Sequence, residues 1–127
     1  MSSATLFSII ESPLHPDFSE VYRRSGIQEV KLHSIRKAIS ELKKHAPDYI
    51  VAEFFYGYGN NYAGVNISNL DVFLYSLQRY APQARVIVMV DKSERQYVDK
   101  LQELFSLHAI LLHPVSGAEI EAVLNAT

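Results

Sequence analysis

Short apolar runs alternate along this chain with stretches whose apolar residues recur at helical spacing, and that alternation limits the fold more than any other feature. TLFSII (5–10) reads as a strand. HPDFSEVYRRSG follows, with Pro16 in a first helical turn, Asp17 and Glu20 near the start and Gly26 after the end, which are helix start and stop signals. EVKL (29–32) is a weak strand. Ile35, Ala38, Ile39 and Leu42 then share one helix face. DYIVAEF (48–54) is a stronger strand. Ser68 and Asp71 have capping-box spacing, ahead of a stripe of Leu70, Phe73, Leu74 and Leu77. ARVIVMV (84–90) is apolar throughout, as a central parallel strand covered on both faces must be. Ser93 with Gln96 and Ser116 with Glu119 give two further boxes, one on each side of AILL (109–112).

The predicted order is βαβαβαβαβα, which implies parallel pairing through helical crossovers. Within one domain, residues 1–127, the expected architecture is a doubly wound α/β sheet of five parallel strands in flavodoxin-like order 2-1-3-4-5.

Ligands bind such sheets at the carboxyl ends of the strands. Strand one runs out at Glu11 and Ser12, strand three at Glu53, strand four at Asp91 and strand five at His113. Three acids and a histidine are thus expected along one sheet edge. Each also has a plain structural reading. Polar residues must appear where buried strands surface, Asp91 stands where it can serve the next helix terminus, and His113 precedes Pro114 in a turn.

From strand three the chain enters FFYGYGNNYAG. Gly and Asn permit tight turns, and tyrosines offer large contact area with few torsions to freeze. Phe55, Tyr56, Tyr58 and Tyr62 are therefore candidates for contact with a partner, or for a lid over the strand ends. GYGNNYAG lacks the Lys-Ser/Thr of a phosphate-binding loop.

Other chemistry is poorly served. The chain has no cysteine, which removes disulfides, thiol catalysis and cysteine metal sites and suits the cytosol. The histidines at 15, 33, 45, 108 and 113 lack metal-binding spacing, and Ser8, Ser12 and Ser19 sit in no nucleophile elbow. The formal net charge of −2 gives no general pull toward nucleic acid or anionic lipid. The N-terminus has no secretory pattern, and no apolar run approaches the roughly 18–20 residues of a membrane helix. The expectation is a cytoplasmic protein that is not an enzyme and has no cofactor.

SIRKAISELKKHAPDYIVAEF, NLDVFLYSLQRYAPQARVIVMV and AILLHPV, in that order and spacing, resemble the response-regulator (CheY-like) receiver domain over nearly the whole chain. The resemblance implies an acidic pair after strand one that holds magnesium, and a phosphoacceptor aspartate after strand three. It also implies a Thr or Ser after strand four and a Lys after strand five. This chain has Glu11-Ser12, Glu53, Asp91 and His113 at those places, with only the following proline, Pro114, kept.

Each departure works against aspartyl-phosphate chemistry. Glu53 carries its carboxylate one methylene further out, where in-line transfer tolerates little misplacement. Asp91 would stand beside a phosphoryl group already bearing nearly two negative charges. At His113 the fixed cation of a lysine is lost. One acid fewer weakens a hard-cation site. The resemblance thus implies a degenerate receiver acting through protein contacts, with Glu53 a poor imitation of a phosphorylated aspartate. Its partners would be a signalling kinase, an output protein, or a second copy bound through residues 93–125, with Tyr97, Lys100 and Gln102 exposed. Two alternatives stand: a phosphorylatable receiver with unorthodox residues, or a small-ligand or divalent-metal domain in which Glu11, Glu53, Asp91 and His113 supply mixed ligands for zinc or manganese.

Overall fold

A computed structural model describes residues 4–11, 17–56 and 68–125. Ser12, Pro16, Tyr58 and Tyr62 lie outside them. The elements are β1 (Ala4–Ile9), α1 (Ser19–Arg24), β2 (Ile27–Leu32), α2 (Ile35–Leu42), β3 (Tyr49–Glu53), α3 (Asp71–Tyr80), β4 (Arg85–Val90), α4 (Arg95–Leu104), β5 (Ala109–Leu112) and α5 (Gly117–Asn125), with a 3-10 turn over Lys92–Glu94 before α4. The sheet has five strands in the order β2-β1-β3-β4-β5, and every pair is parallel. This is the expected doubly wound, flavodoxin-like arrangement.

Strand alternation sorts the core into two halves. Phe7, Ile9, Ile50, Ala52, Val86, Val88 and Val90 pack with the apolar faces of α2, α3 and α4. Leu6, Val51, Ile87 and Met89 point the other way, toward α1 and α5. The inner strand β4 is buried from Val86 to Val90, which explains its unbroken apolar run. Glu53 falls in step with Val51 and Met89, so its position belongs to an apolar row.

Local signals place most boundaries. Gly26, at φ +73°, takes the left-handed turn between α1 and β2 that other residues rarely adopt. Ser116 and Glu119 form the predicted reciprocal box at α5, with Glu119 Oε1 accepting from the Ser116 N–H at 2.9 Å and Ser116 Oγ accepting from the Glu119 N–H at 3.1 Å. At α3, Asp71 Oδ1 accepts from the N–H of Ser68 at 2.7 Å, while Ser68 Oγ accepts from the Leu70 N–H.

The predicted box of Ser93 with Gln96 does not form. Asp91 caps the 3-10 turn instead, and Ser93 is its donor, because the extra turn moves the start of α4 to Arg95. β1 stops at Ile9, two residues short of Glu11, although the Ile10 N–H still reaches Leu32 O.

Candidate functional site

Glu53 ends β3 with 4% of its surface exposed. A buried carboxylate is costly unless it is hydrogen-bonded. Glu53 Oε1 accepts from the backbone N–H of Glu11 at 2.9 Å, across the gap between the exits of β3 and β1. Thus Glu11 meets Glu53 through its main chain.

Asn69, just before α3, fastens the two acids further. Its Nδ2 donates to Glu53 O at 2.9 Å and to Glu11 Oε1 at 3.2 Å, and its Oδ1 accepts from the Phe55 N–H at 2.7 Å. The reverse amide orientation would set oxygen against two acceptors and N–H against a donor, so these contacts fix it. The Asn69 backbone N–H also donates to Phe55 O at 3.1 Å. Asn69 is buried, and sequence reasoning passed over it. Its position inside the Ser68–Asp71 pair was the available signal, but its partners lie 14, 16 and 58 residues away.

The other two sequence-predicted residues form a separate group. Asp91 is exposed and its carboxylate serves the backbone: Oδ2 accepts from the Ser93 N–H at 3.0 Å and from Ser93 Oγ at 2.6 Å. The Ser93 hydroxyl and then the Ser93 N–H hold the Asp91 carboxyl below its ordinary value, with a smaller pull from His113. His113 is half-buried after β5, and its N–H continues the ladder to Val90 O at 3.0 Å. Its peptide bond to Pro114 is cis. The sheet edge therefore holds a Glu11–Asn69–Glu53 group and an Asp91–Ser93–His113 group. Among the described residues, no group of three or more His, Asp or Glu is placed to hold a metal ion.

The aromatic exit of β3 divides. Phe54 enters the core at 2% exposure, with its N–H on Met89 O, and Phe55 is half-buried. Tyr56 is 45% exposed and stacks on Tyr97 of α4, ring centroids 3.6 Å apart and planes 13° from parallel. Its N–H donates to Glu94 Oε1 at 3.1 Å. Tyr97 was expected to be exposed and is half-buried, packed against the core as well as stacked by Tyr56, whereas Lys100 and Gln102 are exposed as predicted.

A cavity of about 90 Å³ lies at the far end of the sheet, lined by Leu74, Leu77, Ala81, Pro82, Val86 and Phe105 among others, and it has no part in the acidic edge. Among the described residues, no helix is long and apolar enough to cross a membrane.

The sequence matches no protein-family model and no curated protein. Solved structures do resemble the fold. A response regulator receiver domain protein from Clostridium thermocellum superposes with a TM-score of 0.74 at 12% identity, covering 96% of this chain and 91% of that one. A CheY-like receiver domain protein from Methanospirillum hungatei gives 0.74 at 7% identity, covering 97% and 91%. An uncharacterized protein from Neptuniibacter caesariensis gives 0.76 at 15% identity, covering 95% and 84%. Strand order and these superpositions agree: the chain has the fold of the response-regulator receiver domain.

Proposed function

We propose that this chain is a degenerate receiver domain that signals by binding other proteins and takes no phosphoryl group at the end of β3. The observation that carries the reading is the state of Glu53. It is 4% exposed, and Oε1 already accepts the Glu11 N–H. An acceptor for in-line transfer must present an oxygen to the donor and have room for the transferred group. The Asp91 carboxylate near the same edge opposes an incoming phosphoryl group by like charge. Its bonds to Ser93 give it a structural task in place of a phosphoryl-binding one.

The face built from α4, β5 and α5 is the proposed contact surface, either for an output protein or for a second copy. Leu104 and Leu112 are 50% and 36% exposed there, beside exposed Lys100 and Gln102. Exposed leucines flanked by polar residues suit an interface with an apolar centre and a polar rim. The test is incubation with acetyl phosphate and magnesium, read by intact mass. No gain of a phosphoryl group, at a concentration that labels an active receiver run alongside, is the expected result. A stoichiometric adduct on Glu53 or Asp91 would overturn the reading.

A further inference from the structure

We propose that Tyr56 is a latch that couples the buried Glu53 group to helix α4. The four residues leaving β3 are each tied to another part of the chain. Glu53 Oε1 takes the Glu11 N–H beyond β1, and the Phe54 N–H reaches Met89 O in β4. Phe55 is held at both its N–H and its carbonyl by Asn69, before α3. Tyr56 completes the series with its N–H on Glu94 Oε1 and its ring on Tyr97. The Tyr56 backbone also pairs antiparallel with Ser68, the neighbour of the Asn69 that holds Glu53 O, so the latch and the buried group share one segment. Displacement of Tyr56 therefore acts on the Ser68–Asn69 segment that fastens Glu53.

The two ends differ in strength. Asn69 and Glu53 are buried, at 8% and 4% exposure, whereas Tyr56 is 45% exposed. The exposed ring pair and the Tyr56 N–H bond to Glu94 open far more readily than the buried carboxylate and amide group. Tyr56 is thus the point at which the junction is released. Tyr97 and Glu94 lie on the α4 side, so a protein surface that engages them competes with Tyr56. By reciprocity, such a partner loosens the Glu53 exit to the same degree that a change at Glu53 alters access to Tyr97. This coupling needs no phosphoryl chemistry and stands independently of the acetyl phosphate result.

The experiment is amide hydrogen exchange by NMR on the full chain with Glu94→Ala, with Tyr97→Ala, whose ring also packs against the core, and with Tyr56→Phe as the conservative control. The alanine variants should speed exchange of the Tyr56 amide about tenfold, and of the Phe55 and Glu11 amides by a smaller factor of about three. Tyr56→Phe keeps the stack and the backbone bond and should leave all three rates unchanged. The amides of Asp48 and Arg85, which bond Thr5 O and Asp48 O at the opposite end of the sheet, report general stability and should not move. Acceleration at Tyr56 alone, or equal acceleration at every amide including Asp48 and Arg85, would overturn the latch.

Discussion

The exits of β3 and β4 start from the same sequence signal, an apolar run that ends on a carboxylate, and they come to opposite ends. Glu53 is still inside the ladder, paired in register with Met89 and buried. Asp91 is one residue past the end of its strand and exposed. Glu53 is held by groups distant in sequence, Glu11 and Asn69. Asp91 is held by Ser93, two residues on. A shift of one residue relative to the strand end thus decides whether an acid becomes a long-range tie or a local cap. It also decides what removing the acid will do.

Asn69→Ala should have the largest effect. It removes the side-chain acceptor of the half-buried Phe55 N–H and the donor to Glu53 O and Glu11, a loss of about 2–4 kcal/mol. Urea unfolding followed by circular dichroism measures it, and a loss below 1 kcal/mol, roughly what a surface substitution costs, would break the idea of a tied exit. Glu53→Ala comes next, at about 1–3 kcal/mol, because deleting a buried charge partly offsets the stranded Glu11 N–H. Glu53→Gln keeps an acceptor of the same reach and should cost under about 1 kcal/mol in the same assay. If Gln were as harmful as Ala, the charge of Glu53 would matter more than its hydrogen bond.

Asp91→Asn should be the mildest, and its signature is pH dependence. The folded-state carboxyl titrates below its ordinary value of 3.8, so its contribution is present above that pH and is lost as pH falls through the lower folded value. Asn keeps an acceptor for the Ser93 N–H but does not titrate there, so the variant's stability should fall less steeply with acid. A carboxyl resonance of Asp91 titrating at or above 3.8 would contradict the cap as the cause.

What the sequence revealed and what it hid divide along the same line. β4 and β5 were legible because an apolar run bounded by polar residues is a local pattern. Ser116 with Glu119 was legible because a capping box is a three-residue spacing. The alternative role of Asp91 as a cap was visible for the same reason. Asn69 was hidden because its partners are brought to it only by the finished sheet. Tyr97 was expected at the surface, but it packs against the core and takes the ring of Tyr56, and helix periodicity cannot register a ring arriving from a distant position. Ser93 was misassigned to a box because the 3-10 turn before α4 leaves no mark in the periodicity. The fold was readable from order, whereas the junction at Glu53 required knowing which strand ends meet.

The central claim is that Glu53 is a structural carboxylate in a receiver fold that no longer accepts phosphoryl chemistry. A backbone amide NMR titration of the purified chain with magnesium and then beryllofluoride tests it most directly. The account predicts no saturable shift at Glu11, Glu53, Asp91 or His113. Saturable shifts at those amides on adding beryllofluoride would contradict it, because the edge would then accept a phosphoryl mimic with Glu53 in place.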